Sequence, residues 1–261
     1  MIAILGVDIH CHILPNIDDG PKNIDESIEM SQSLVEEGLS IVVATPHYTA
    51  GDPLCNIDKI NDCFKALTQA LKRKIITVKL LRGAEILVSP LLANMDADEL
   101  RNLSINASRY LLIEMPALVV PSYTDDIIYD IQLKGFTPII AHPERNAAIM
   151  NDPTIAYTLV EQGALLQLNA GSIAGRFGKA SQKLAYLFIK HNLAQFIATD
   201  GHSAHRRAPR MMESFSLVED AFDRNMAMRL WIDNPTAAIY DNSISIEKIT
   251  PLHKRFFGGW K

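Results

Sequence analysis

A parallel α/β barrel is the fold class predicted for this chain of 261 residues. Three observations carry that expectation. Seven short apolar runs rich in β-branched residues recur along the length, at 7–10, 41–45, 76–81, 110–113, 137–141, 165–168 and 195–199. Most of them are separated by stretches of helical periodicity. No repeat, low-complexity tract or Pro/Gly/Ser linker breaks the series. Runs that are apolar throughout belong to strands covered on both faces, as in parallel sheets flanked by helices. Alternation of strand and helix over the whole length favours closure into a barrel, although an open doubly wound sheet has a similar signature. Barrels of this class often run to about 200–250 residues as one domain. One unit over residues 1–249 is therefore expected, with a short tail over 250–261.

The elements support this in order. After the first run, Ile24, Ile28 and Leu34 lie near one helical face, with Asn23 or Asp25 as N-cap and Gly38 at the far end. After the second, Ile57, Ile60, Phe64, Leu67 and Leu71 step by three and four, a clear amphipathic helix. Leu184, Leu187, Phe188 and His191 repeat the pattern, as do Met212, Phe215, Val218 and Phe222. Such stripes read as helix faces packed on a sheet. The tail differs, mixing the cations Lys254, Arg255 and Lys261 with Phe256, Phe257 and Trp260. It reads first as a docked or frayed end, and second as a contact to a partner or membrane surface.

Composition narrows the function. With 48% hydrophobic and 21% charged residues the chain is an ordinary globular protein, and its net charge of −5 argues against a nucleic-acid binder. No apolar run is long enough to span a membrane, and the apolar start lacks the basic region and cleavage site of a signal peptide. Cys11, Cys55 and Cys63 are odd in number with no C-x-x-C spacing, so neither a disulfide framework nor a thiolate zinc site is supported. Reduced thiols fit a cytoplasmic protein.

In parallel α/β folds the active site lies beyond the carboxyl ends of the strands, so the residues that end each run matter most. The first run ends at His10-Cys11-His12 and the second leads to His47. The third leads to Gly83-Ala84-Glu85, and the fourth ends at Glu114. The fifth ends at His142-Pro143-Glu144-Arg145 and the seventh at Asp200-Gly201-His202. Six of the seven thus deliver a metal-competent side chain to one rim. Each motif is modest taken singly: an isolated His47 or His142 is more often a core or surface histidine, and Asp18-Asp19-Gly20 an ordinary turn. Their coincidence at one mouth changes the reading. Crowding so many ionisable groups together without cations would be costly in desolvation and like-charge repulsion, and metal ions remove that penalty. Two imidazoles at i and i+2 point to one side of a strand and can reach one ion.

Imidazole and carboxylate ligands without thiolate suit Mn, Fe or Zn, and a multinuclear site of that kind suits phosphoester hydrolysis. Arg145 and Arg207 are the candidate phosphate ligands, because a guanidinium fork matches phosphate oxygens. Arg206 and Arg210 are barely separated from Arg207 by sequence alone. A cysteine phosphatase cradle is excluded: C-x5-R would need arginine where the chain has Ile17, Asn61 and Gln69. Neither G-x-S-x-G nor a Walker loop occurs.

The segments Asp8-Ile9-His10-Cys11-His12-Ile13-Leu14-Pro15, Asp18-Asp19-Gly20-Pro21, Ala44-Thr45-Pro46-His47, Gly83-Ala84-Glu85-Ile86, Ala141-His142-Pro143-Glu144-Arg145 and Thr199-Asp200-Gly201-His202 resemble the PHP (polymerase and histidinol phosphatase) superfamily. Their order and spacing are similar to the manganese-dependent protein-tyrosine phosphatases of bacterial capsule and exopolysaccharide synthesis, the CpsB/CapC type, over nearly the whole chain. The resemblance implies a distorted (β/α)7 TIM-like barrel with three metal ions, most simply Mn2+, with Fe or Zn as alternatives. It assigns His10, His12, Glu85 and Asp200 to the first ion. Glu85 bridges to a second ion held also by Glu114 and His142, while Asp19, His47 and His202 hold the third. Asp19 thereby becomes a ligand rather than a simple turn residue. Arg145 and Arg207 fall on the phosphate-binding arginines. The implied reaction is hydrolysis of phosphotyrosine, and the implied partner is the phosphorylated tail of a bacterial polysaccharide-synthesis tyrosine kinase. The loop over 48–55 and the basic aromatic tail depart from the family pattern. Two other readings stand beside this one: the same chemistry on a small phosphomonoester such as histidinol phosphate, and a metal-binding regulatory protein without turnover.

Overall fold

The computed structural model describes residues 6–53, 56–244, 246–254 and 260. Cys55, Arg255, Phe256, Phe257 and Lys261, together with the first five residues, lie outside the described residues. The strands are β1 (Gly6–Cys11), β2 (Leu39–Ala44), β3 (His47–Tyr48), β4 (Lys79–Arg82), β5 (Glu85–Leu87), β6 (Tyr110–Glu114), β7 (Thr137–Ala141), β8 (Leu165–Asn169) and β9 (Ala194–Ala198). All their ladders are parallel.

The short β3 and β5 continue β2 and β4 past interruptions, so the seven expected runs stand as seven staves, two of them broken. The order is β1-β2-β4 in one sheet and β3-β5-β6-β7-β8-β9 in the other. Each break has a local cause. Pro46 has no N–H to donate to a ladder. A Cβ on Gly83 would lie 2.9 Å from Val43 Cγ1, so only glycine allows the two staves to approach there. Pairing resumes across the breaks, with Gly83 N donating to Ala44 O and Glu85 N to Pro46 O, each at 3.0 Å. The third run starts later than its composition predicts. Ile76 N bonds Leu71 O at 3.1 Å, closing the preceding helix and keeping Ile76 out of the strand.

The seam between the first and last staves is closed by single bonds and one carboxylate rather than by a ladder. Asp200 N donates to His10 O and His12 N to Gly201 O, both at 2.9 Å. Deeper in the seam, Asp8 Oδ1 accepts from Thr199 N at 3.1 Å and from His10 N at 3.2 Å. Its Oδ2 accepts from the Thr199 hydroxyl at 2.5 Å. Burial raises the Asp8 pKa to about 6 against the opposing pull of the Thr199 bonds.

Side chains alternate along the staves. Tyr110, Leu112, Ile139, Leu165, Phe196 and Ala198 share one buried cluster. Leu111, Ile113, Ile140, Leu166, Leu168 and Ile197 belong to the larger core that also takes in the helices. Carried past the apolar stretch, the first parity places Glu114, Gln167 and Asp200 at the carboxyl-terminal mouth.

The flanking helices follow the expected stripes with one correction. Asn23 caps the helix Ile24–Glu36, its side chain accepting from Asp25 N and Glu26 N, and Met30 and Leu34 are buried beneath it. The helix Ile57–Lys74 buries Ile60, Leu67 and Leu71, and Lys179–Lys190 buries Leu184 and Phe188. In Met211–Ala221 the buried face runs through Met211, Phe215 and Val218, whereas Met212 is 54% exposed. The i, i+4, i+7 spacing from Met211 makes the tighter stripe. The described part of the tail is docked: Thr250 N donates to His191 O, Leu252 is buried, and Trp260 packs on the core. Among the described residues no helix is long and apolar enough to cross a membrane.

Because Asp8 satisfies three buried donors at the seam, Asp8→Ala is expected to lower stability by about 3–5 kcal/mol. Asp8→Asn, which keeps one acceptor, should lose less. Urea midpoints for the two variants check this, and equal losses would show that the seam does not depend on those bonds.

Candidate metal centre

All nine sequence-predicted ligands meet at the carboxyl-terminal mouth. His10 and His12 come from β1 and the residue beyond it, His47 from β3, Glu85 from β5 and Glu114 from β6. His142 and Asp200 follow β7 and β9, and both adopt left-handed backbone, with φ of 33° and 49°. For residues other than glycine such a conformation costs roughly 1–3 kcal/mol and persists only where packing demands it. It turns both side chains across the mouth instead of along the strand.

Glu85 is the hub. Its Oε2 lies 3.3 Å from His10 Nε2, 3.1 Å from His12 Nε2 and 3.1 Å from His47 Nδ1, while Oε1 lies 2.8 Å from His142 Nε2. Glu114 approaches His47 Nδ1 at 3.5 Å and His142 Nε2 at 3.8 Å. Asp200 Oδ1 stands 3.5 Å from both His10 and His12. On the outer side Asp19 Oδ1 is 3.0 Å from His202 Nε2 and 3.5 Å from His47 Nε2. The groupings overlap: potential ligand atoms of His12 cluster with those of Asp19, His47 and His202 as well as with His10 and Glu85.

Three imidazoles are oriented from behind. Gln167 donates its Nε2 to Leu168 O at 2.7 Å and to Asn169 Oδ1 at 3.0 Å, so the atom 2.8 Å from His10 Nδ1 is its oxygen. An oxygen only accepts, so His10 carries its hydrogen on Nδ1 and turns Nε2 to the centre. Asp18 Oδ2 does the same for His12 Nδ1 at 2.8 Å, and the Asp200 carbonyl for His202 Nδ1 at 2.9 Å. Outer acceptors that fix the tautomer and free the inner nitrogen are the arrangement expected behind metal-binding histidines.

Electrostatics point the same way. Burial opposes charge on His12, yet its bond to Asp18 and the Glu85 carboxylate beside it raise the pKa to about 10. His47 is likewise raised to about 11, burial being outweighed by Asp19 and Glu85. Burial pushes Glu85 up, but the imidazoles around it hold it well below the ordinary range. The buried Glu85 Oε2 satisfies no hydrogen bond despite its close neighbours. Such a centre gathers carboxylates and imidazoles at one mouth, and its nitrogen and oxygen donors fit divalent ions of the Mn, Fe and Zn class. Cys11 takes no part; its thiol is directed to Gly201 O, 3.9 Å away.

Two arginines close the mouth. Arg145 Nη1 and Arg207 Nη2 both donate to Asp200 Oδ2, at 2.7 and 2.5 Å. The Arg145 guanidinium also lies over the Phe177 ring, 4.2 Å from its centroid.

Four positioning residues escaped the sequence reading. Gln167 and Asn169 come from β8, the one stave that supplies no ligand, and Asn169 Nδ2 donates to Asp200 Oδ2 at 2.6 Å. Asp18 was hidden by its neighbour Asp19. Glu144, fully buried, accepts from Asn169 N at 3.0 Å and from the Ser172 hydroxyl at 2.6 Å. The available signal was two polar residues of the same parity, Gln167 and Asn169, ending an otherwise apolar strand.

Comparison with known proteins is consistent over most of the chain. Residues 6–240 match the family model described as capsular polysaccharide synthesis, CpsB/CapC. The tyrosine-protein phosphatase YwqE of Bacillus subtilis is 34% identical, covering 97% of this chain and 99% of its own length. The putative tyrosine-protein phosphatase CapC of Staphylococcus aureus is 39% identical over 80% of this chain and 82% of its own. A solved structure described under YwqE from Bacillus subtilis and CpsB from Streptococcus pneumoniae, unique metal-dependent tyrosine phosphatases, superposes with a TM-score of 0.89 at 34% identity. It covers 95% of this chain and 100% of that one. Dihydropyrimidinase from Brevibacillus agri superposes at 0.54 with 11% identity, a likeness of fold alone.

Two measurements test the centre. At pH 7, below the raised values of His12 and His47, both imidazoles carry a proton that a metal ion must displace. Binding of Mn2+ should therefore release about two protons, and apparent affinity should rise with pH. Titration calorimetry in buffers of different ionisation heat reads this directly; a buffer-independent heat would contradict it. Gln167→Leu, close in size, should weaken Mn2+ binding about 10–100-fold in chelator competition. Unchanged affinity would remove Gln167 from its positioning role.

Proposed function

The chain belongs to the CpsB/CapC family of capsular polysaccharide synthesis, and from that premise we propose that it hydrolyses phosphotyrosine with divalent metal ions held at the barrel mouth. The observation that carries this reading is the hub at Glu85, a buried carboxylate set among four imidazoles with one oxygen unsatisfied, flanked by two arginines aimed at one Asp200 oxygen. His10, His12, Glu85 and Asp200 are proposed for one ion, Glu85, Glu114 and His142 for a second, and Asp19, His47 and His202 for a third. Mn2+ is the proposed ion.

Bound ions supply an activated water and neutralise charge on the phosphoryl group. The residues of the chain do the rest. Arg145 and Arg207 approach from the turns after β7 and β9, so a phosphate seated against them meets guanidinium hydrogens from two directions. Those forks match equatorial phosphoryl oxygens, where charge is spread in the transition state. Asp200 holds both arginines in place through one oxygen, while Phe177 supports the Arg145 plane from beneath. A tyrosine phenolate has a pKa of about 10 and so leaves with less protonation than an alkoxide requires. This favours an aryl phosphate at a site where nitrogen and oxygen ligands are committed to holding cations. The proposed physiological substrate is a phosphotyrosine segment of a bacterial tyrosine kinase that governs polysaccharide synthesis.

With Mn2+ supplied, the protein should turn over a phosphotyrosine peptide at least about tenfold faster than a phosphoserine peptide or histidinol phosphate, and a chelator should abolish turnover. Comparable rates on histidinol phosphate would shift the assignment to a small phosphomonoester. Arg207→Ala should reduce kcat by about a hundredfold while metal content is retained. Full activity of that variant would rule out its role at the phosphoryl group.

A further inference from the structure

On the outer side of Asp200 and Arg207 lies a cavity of about 110 Å³. Its lining includes four arginines, Arg176, Arg206, Arg207 and Arg210, with Asp200 as its single acid. The Asp200 outer oxygen is already engaged by Arg145, Arg207 and Asn169. Arg176 pairs with Glu213 beside the cavity. Arg206 and Arg210 are exposed, and neither makes an ion pair among the described residues. In a chain with a net charge of −5, four guanidiniums around one small cavity reverse the overall balance locally.

The cavity adjoins the proposed phosphate position. Arg207 serves both, one amino group reaching Asp200 while its side chain lines the cavity. Phe177 is the wall between them: it lines the cavity and carries the Arg145 guanidinium on its ring. Gly171 makes that wall fit, since a Cβ there would lie 2.7 Å from the Phe177 ring. A lining dominated by guanidinium forks suits a carboxylate or phosphate head, whose oxygens accept from them. Guanidiniums gathered this closely repel one another, and an anion between them turns repulsion into charge-assisted hydrogen bonds.

We propose that the cavity lined by Arg176, Arg206 and Arg210 is a subsite for an anionic side chain next to the phosphotyrosine of a peptide substrate, either a carboxylate or a second phosphate. The proposal rests on the tyrosine phosphatase reading and sharpens it: the preferred substrate is a phosphotyrosine in an acidic or multiply phosphorylated stretch. Arg207 holds the scissile phosphate, and the neighbouring arginines hold the adjoining residue.

The test uses the full chain loaded with Mn2+ and three peptides that differ only in the residues flanking phosphotyrosine: glutamine, glutamate, or a non-hydrolysable phosphotyrosine mimic. Ionic strength is kept near 0.15 M, where attraction beyond about 8 Å is screened. The glutamate peptide should show a KM about fivefold below the glutamine peptide, and the mimic peptide one at least as low. Combining Arg206→Gln with Arg210→Gln should bring the ratios close to one. A preference for the mimic alone would identify the anion as phosphate; a preference shared with glutamate, as any acid. Ratios near one in the unaltered protein, or ratios that survive the double substitution, overturn the subsite. Binding of the same peptides with a non-hydrolysable mimic in the central position, followed by fluorescence anisotropy, gives the ratios without turnover. If no phosphotyrosine peptide is hydrolysed while histidinol phosphate is, the catalytic reading fails, and anisotropy still decides the subsite.

Discussion

The structure depends on one electrostatic constraint: Glu85, almost wholly buried, is held ionised by the imidazoles that surround it. A buried carboxylate is tolerated only when positive charge is held close by, and here four histidines converge on its two oxygens. The raised pKa values of His12 and His47 express the same demand from the other partners. Every other feature of the mouth either brings charge to this point or holds the groups that do.

The barrel is irregular where that serves the hub. An unbroken second stave would carry its pleat straight through Pro46, and an unbroken third through Gly83. The breaks let β3 and β5 restart with His47 paired to Glu85 in register, so that two ligands from separate staves sit side by side. At the opposite edge the seam is held by the Asp8 carboxylate and two backbone bonds, which set His10 and His12 against Asp200. Two left-handed residues, His142 and Asp200, complete the mouth at the cost of local strain.

Behind the candidate ligands stands a layer that faces away from the centre and fixes their orientation. β8 contributes amides in place of acids, and the chain of bonds from Leu168 O through Gln167 to His10 leaves a single tautomer for that imidazole. Asn169 steadies Asp200, and Glu144 anchors the Asn169 backbone. In front of the ligands, arginines replace histidines as the dominant cations, first on Asp200 and then around the adjoining cavity. Charge therefore changes character from the floor of the site outward, from groups suited to ions to groups suited to phosphate and carboxylate.

The alternation of apolar runs and helical stripes was legible in the sequence because burial on both faces imposes composition directly on a parallel strand. The convergence of the candidate ligands was legible for a related reason: strand ends are adjacent in a barrel whatever their separation in the chain, so the sequence alone could place His10, His47, Glu85, His142 and Asp200 on one rim. The break at Gly83 could not be placed, since it arises from the close approach of neighbouring staves, and the choice of Met211 over Met212 depended on the face the core offered. Nor could the positioning roles of Asp18 and Glu144 be read, although both stand in the motifs of the sequence, because an acid that orients another side chain has no signature apart from its partner. Sequence alone determined which residue types reach the mouth. Only the tertiary structure decided which nitrogen each histidine presents, which arginines share Asp200 and which line a cavity of their own, because those are properties of distances between segments far apart in the chain.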